Sequence, residues 1–255
     1  MTSGSNRWTK SYRHRSAASN TCSNDTGESC NSGTPAANAA STACRVVRYC
    51  LDELMPVQNE SKMHNRPRVL LLGDSICGSY QPLVAKLMAD RADVVGPDEN
   101  GRFAAYTHSR LAGWLAELGQ PDIVHWNNGL WDCGHWWERE PKQIPLDEYV
   151  STLRQILDDL RALTRSIIWA TITPIHEDRI ADQYGFNWTN EEIDTYNAAA
   201  LAVMTAEGVA VNDLHTVVKA DVRENLGEDL LHLSERGQQR CAAAVVAAID
   251  RMMEG

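Results

Sequence analysis

From Arg68 onward, the apolar positions switch between two periods. Val69-Leu70-Leu71-Leu72 is a continuous apolar run stopped by Gly73, the pattern of a short buried strand. Leu83, Val84 and Leu87 then share one face, which predicts a helix over about 79–90. Ala92–Val95 is a second strand, ended by Gly96-Pro97. Leu111, Trp114, Leu115 and Leu118 mark a helix over 107–118, closed by Gly119 and Pro121. The third strand is 122–126. The stripe Val150, Leu153, Ile156, Leu157 and Leu160 predicts a helix over 147–163. A fourth strand spans 166–173. Thr189-Asn190-Glu191-Glu192 has the form of a capping box and opens a helix to about Glu207. The fifth strand is 209–211, and Ser234 caps a last helix that runs to about Met253.

Strands alternating with helices of this length imply right-handed crossovers, hence a parallel sheet of about five strands with helices on both faces. The loops at the carboxyl ends of the strands then converge. They carry Ser75, Asn100-Gly101, Asn127-Asn128, Thr173-Pro174 and the pair Asp229 and His232. Residues 1 to about 45 are different: rich in Ser, Thr, Asn, Gly and Ala, without apolar periodicity. We therefore expect residues 1–62 to be a disordered or linker-like extension and 63–255 to be the folded domain.

Charge narrows the function. The formal net charge is -10, which argues against nucleic-acid binding driven by counterion release from a basic face. No apolar run approaches the roughly 18 residues of a transmembrane helix, and the N-terminus lacks the apolar core of a secretory signal. The expected location is cytoplasmic, without membrane insertion. Of seven cysteines, Cys22, Cys30, Cys44 and Cys50 fit no common zinc spacing, while Cys77, Cys133 and Cys241 are scattered, as free thiols in a reduced compartment would be.

Ser75 follows the first strand, between Gly73 and Gly78, where open α/β folds place their ligands. Serine at this point is either a helix cap or a nucleophile. A nucleophilic serine needs an imidazole base held by a third group. Asp229 precedes His232 by three residues, a spacing at which a carboxylate on a tight turn reaches Nδ1 and leaves Nε2 for the serine. An oxyanion needs preorganised donors, and the Ser75 and Gly101 N–H groups and the amide of Asn127 or Asn128 are candidates. Trp131, Trp136 and Trp137 gather in one loop near the same edge, able either to stack on a sugar ring or to cover the sheet.

Gly73-Asp74-Ser75-Ile76, the glycine loop at 100–103, the Asn/Gly block after the third strand and Asp229-Leu230-Leu231-His232 occur in one order, with Leu233-Ser234-Glu235-Arg236-Gly237 after them. Together with Ala170-Thr171-Ile172-Thr173-Pro174 and Tyr196-Asn197, this resembles the SGNH (GDSL-type) hydrolase family from about Arg68 to the C-terminus. The resemblance implies a flavodoxin-like three-layer α/β/α sandwich and acyl-ester hydrolysis without metal or cofactor. It implies Ser75, Asp229 and His232 as the triad, with Ser75, Gly101 and Asn128 around the oxyanion. Two blocks depart from the family pattern. Ungapped alignment puts Trp131 where that family's oxyanion asparagine stands, and Asn128 is preferred as the donor, with Asn127 beside it. Arg102 stands in an atypical glycine block, where it orients a substrate or supports the loop. The expected substrate is a small-molecule or carbohydrate ester with a short acyl group such as acetyl. A lysophospholipase or thioesterase of the same fold and a non-catalytic binding module are the alternatives.

Overall fold

The structure, a computed structural model, describes residues 66–137, 139–182 and 185–255. The expected extension over 1–62 lies outside the described residues.

Five strands form one parallel sheet: β1 Arg68–Leu72, β2 Asp93–Val95, β3 Ile123–Trp126, β4 Ser166–Ala170 and β5 Ala210–Asn212. Their spatial order is β2-β1-β3-β4-β5, with Val69 paired to Ile123 and Leu72 to Trp126 across the central ladder. This is the flavodoxin-like order, which reverses direction between β1 and β3 and opens a crevice at their carboxyl ends. Residues Val69–Leu72 and all of β3 are buried on both faces, which explains why both read as unbroken apolar runs except for His125. Trp126 and Trp169 fill the centre with edge-to-face rings 4.8 Å apart.

The helices longer than two turns are α1 Ser75–Leu87, α2 Ala104–Leu118, α4 Leu146–Arg161, α5 Asn190–Ala206 and α8 Glu235–Glu254. Shorter ones are α3 Leu130–Cys133, α6 Leu214–Lys219 and α7 Val222–Asn225. Helices α1 and α8 pack against each other on one layer, while α4 packs between α2 and α5 on the other. Among the described residues, no helix is long and apolar enough to cross a membrane.

Three elements have boundaries that differ from the sequence reading by three residues or more, one being α2, which starts at Ala104 rather than about 107. Helix α1 begins at Ser75, four residues before the expected start, because Asp74 caps it by accepting the Ile76 N–H at 2.9 Å. Strand β4 stops at Ala170: Thr171 N still reaches Asn212 O of β5 at 3.1 Å, but Ile172 N leaves the sheet and donates to the Asn197 side chain at 2.8 Å. The capping box forms as read, with Thr189 and Glu192 bonding reciprocally.

Candidate active site

Ser75 is the first residue of α1, directly after the Gly73-Asp74 turn that ends β1. Its N–H has no acceptor within the helix and carries the positive end of the helix dipole. The Ser75 Oγ lies 2.9 Å from His232 Nε2. On the other side of that ring, His232 Nδ1 is 2.5 Å from Asp229 Oδ2. The second oxygen, Asp229 Oδ1, accepts the backbone N–H groups of Leu231 at 3.1 Å and His232 at 2.9 Å. The three-residue spacing therefore makes a tight turn around one carboxylate, and Leu230 adopts a left-handed φ of 59° to close it. Burial pushes the Asp229 carboxyl upward, but the side-chain and backbone bonds from His232 outweigh it and hold the group below the usual carboxylate range.

The turn around Ser75 is fixed from several sides. Gly101 N donates to Gly73 O at 2.9 Å, and Thr107 Oγ1 donates to Gly101 O at 2.8 Å. Arg102, with a left-handed φ of 52°, has its N–H on Asn100 Oδ1 at 2.8 Å. Asn128 is fully buried and donates its amide to Arg102 O at 3.2 Å and Thr107 Oγ1 at 2.9 Å, while its Oδ1 accepts the Trp126 indole N–H at 2.7 Å. The structure thus brings Gly101, Arg102 and Asn128 into one brace around the Ser75 turn, with the expected oxyanion donors of Gly101 and Asn128 engaged in the brace itself. Asn127 spends one amide hydrogen on Ala170 O at 2.8 Å and borders a narrow cavity with Asp74, Ile76, Leu130 and Thr173.

Two buried carboxyls that sequence reasoning left without a role flank this brace. Burial pushes Asp74 up to about 6, against the Ile76 N–H that it accepts, and its other oxygen has no hydrogen-bond partner. Burial likewise pushes Asp132 up to about 7, although both its oxygens accept Ala104 N, at 3.0 and 3.1 Å, at the start of α2. The signal for Asp74 as a cap was its place directly after the first strand, which an expected helix start at about 79 passed over. Asp132 carried no such signal, since its partner lies 28 residues away.

The aromatic residues form a shelf beside the site. Phe186 meets Trp136 and Trp188 at ring distances of 4.8 Å each, and Trp131 at 6.4 Å. Trp137 lies over Gly185 and is 74% exposed. The loop carrying these tryptophans is anchored by buried Glu192, which meets His135 Nδ1 and Lys142 Nζ at 2.9 Å each. The Arg102 guanidinium sits 4.5 Å from the Tyr106 ring centre. Sequence reasoning missed Arg179, which donates to Asp229 O at 2.8 Å; a lone arginine in a long loop gives no signal of its target.

A sequence model of the GDSL-like lipase/acylhydrolase family matches residues 71–240. The isoamyl acetate-hydrolyzing esterase 1 homolog of Rattus norvegicus is 30% identical over 192 residues, covering 68% of this chain and 77% of that protein. A crystal structure of the lipase/acylhydrolase from Enterococcus faecalis superposes with a TM-score of 0.60 at 20% identity, over 72% of this chain and 96% of the other. The acetyl xylan esterase AlAXEase does so at 0.59 and 18% identity, over 71% and 99%. At these identities the two structures speak for the fold.

Proposed function

The chain belongs to the GDSL-like lipase/acylhydrolase family, and from that membership we propose that it is a serine esterase for short-acyl esters, acetyl esters first. One observation carries the reading: Ser75 Oγ lies 2.9 Å from an imidazole that a carboxylate holds from behind.

In this mechanism Ser75 Oγ attacks the acyl carbon as its proton passes to His232 Nε2. Asp229 keeps the ring in the tautomer that leaves Nε2 free to accept, and then stabilises the imidazolium. Negative charge collects on the carbonyl oxygen near the N-terminus of α1, where the Ser75 N–H donates to it. His232 returns the proton to the departing alkoxide, and the alcohol leaves. Water then repeats the sequence on the acyl-serine: His232 takes its proton, the oxygen adds to the acyl carbon, and Ser75 leaves with the proton to free the acid.

Gly101 and Asn128 act in this reading by bracing the turn from which Ser75 projects, and the remaining amide hydrogen of Asn127 is the side-chain donor open to the oxyanion. The acetyl preference is supported by the similarity to the rat relative, an isoamyl acetate-hydrolyzing esterase 1 homolog. Trp131 and Arg102 would contact the alcohol side of the ester, a carbohydrate being one such alcohol.

The test compares wild type with Ser75→Ala on p-nitrophenyl acetate and with a fluorophosphonate label. We expect labelling and turnover in the wild type and a loss of at least about 10³-fold with no label in the variant. Turnover that survives Ser75→Ala defeats the reading. A p-nitrophenyl series from acetate to palmitate separates it from a long-chain lysophospholipase or thioesterase, for which kcat/KM rises with acyl length.

A further inference from the structure

The turn that carries Asp229 and His232 is half-exposed, and it bends through a left-handed leucine. Its backbone groups are held by the loop that follows β4. His176 N donates to Leu230 O at 3.1 Å, and Arg179 Nη1 donates to Asp229 O at 2.8 Å. The guanidinium is itself held: it lies 5.0 Å from the centre of the Trp188 ring, and Nε is sealed from solvent with no hydrogen-bond partner. The Trp188 indole N–H in turn donates to Leu130 O at 2.5 Å. Leu130 opens the short helix after Gly129 and borders the cavity with Asp74 and Ile76, at the start of the helix that bears Ser75.

We propose that Arg179 is a positioning residue: clamped on the face of Trp188, it fixes the Asp229 carbonyl and so holds the Asp229–His232 turn in register with Ser75. This rests on the serine-esterase reading above and deepens it. The chain of contacts runs from Leu130 through Trp188 and Arg179 to Asp229, and from there through His232 to Ser75. It links the loop after β3 to the loop before α8, the two sides between which an ester must lie. An arginine suits this place because its planar guanidinium can stack on an indole and still aim an N–H in a fixed direction. Burying its Nε without a partner is costly, which a surface arginine with no task would avoid by turning into water.

The clamp acts on geometry and not on substrate contact. Its loss therefore lowers kcat, since a displacement of about 1 Å at a reacting pair costs on the order of 10²-fold, while KM stays put. The test uses the full chain with three readouts: kcat and KM on p-nitrophenyl acetate, the melting temperature, and the low-field proton resonance of His232 Nδ1–H in its short bond to Asp229. Arg179→Met is expected to lower kcat by about 10- to 100-fold with KM within about twofold, and to broaden or abolish the resonance. Arg179→Lys keeps the charge and one donor without the planar stack, and is expected to fall between, several-fold below wild type. Arg179→Met with wild-type kcat and an unchanged resonance overturns the proposal. Should the methionine variant fail to fold, Arg179→Lys decides alone, and wild-type kcat and resonance in it overturn the proposal. Failure of the underlying reading looks different: Ser75→Ala then stays active whatever Arg179 does.

Discussion

Ser75 Oγ and His232 Nε2 stand 2.9 Å apart although 157 residues separate them in the chain. The parallel sheet makes this meeting possible. Ser75 follows β1, which lies between β2 and β3, and His232 arrives from the turn before the last helix, α8, which packs on α1. The relationship is therefore a product of topology, and its chemistry is open to direct attack through the third member. Asp229→Asn keeps the shape of the turn and one acceptor oxygen, but reverses the donor at the position that bonds Nδ1. We expect kcat on p-nitrophenyl acetate to fall by about 10³- to 10⁴-fold with little change in KM. The double variant Ser75→Ala with Asp229→Asn should lose no more than Ser75→Ala alone, because the three groups act as one unit. Additive losses would place Asp229 outside that unit.

Gly101 offers a test of the brace. A Cβ built there would stand 2.5 Å from Gly73 O, the atom that Gly101 N–H now bonds. Backbone cannot yield as a flexible side chain can, so Gly101→Ala must push the loop off the Ser75 turn. We expect kcat/KM to fall by about 10²-fold and the melting temperature to drop as well, since Gly101 is buried and the added Cβ overpacks the turn. Near-normal turnover in Gly101→Ala would mean that the brace is not needed.

Arg102 separates backbone strain from substrate contact. Its φ of 52° suits glycine far better than arginine. Arg102→Gly is expected to stabilise the fold by up to about 1 kcal/mol in urea titration by removing that strain. If the guanidinium orients the ester's alcohol, KM for charged or hydroxylated esters rises in the same variant while KM for p-nitrophenyl acetate holds. A variant that gains stability and changes no KM assigns Arg102 to the loop alone.

How much of this could be read from the chain depends on where each group's partner lies. The strands and the amphipathic stripe of α4 were legible because burial acts on every position of a regular element, and so was the contact of Asp229 with His232, because the two are near neighbours in the chain. Helix α1 was placed late because its first turn, Ser75-Ile76-Cys77-Gly78, carries a glycine and no stripe, and its start depends on the Asp74 cap. The donors of Gly101 and Asn128 were visible, but the acceptors that engage them, Gly73 O, Arg102 O and Thr107 Oγ1, are set by tertiary packing. Glu192 read as a capping residue only. Its second task, holding His135 and Lys142, joins two loops that have no common pattern in sequence.

That second task predicts stability. Glu192 is buried, and truncation to alanine takes away the partner of His135 Nδ1 and one of two carboxylates on Lys142, which keeps Glu140, and removes half of the capping box as well. Losing these hydrogen bonds together with the cap costs about 2–4 kcal/mol. We expect Glu192→Ala to lower the urea midpoint accordingly and to loosen the tryptophan loop, raising the emission wavelength of its fluorescence. A loss below about 1 kcal/mol would show that the network is dispensable.

Buried groups give the stability a readable pH dependence of both signs, Asp74 and Asp132 on one side and His125 on the other. Burial pushes the Asp132 carboxyl up from its ordinary 3.8 to about 7 in the folded chain. Folding is thus favoured fully below 3.8, and that contribution is lost as pH rises toward 7. His125 runs the other way: burial depresses it from 6.5 to about 4, so its contribution is complete above 6.5 and is lost as pH falls toward 4. Asp132→Asn removes the Asp132 dependence while retaining an acceptor for Ala104 N. The difference in melting temperature between Asp132→Asn and wild type should therefore move in favour of the variant from pH 4 to 7 and level off above 7. A difference that stays constant over that range would mean that Asp132 ionises in the fold as it does in water.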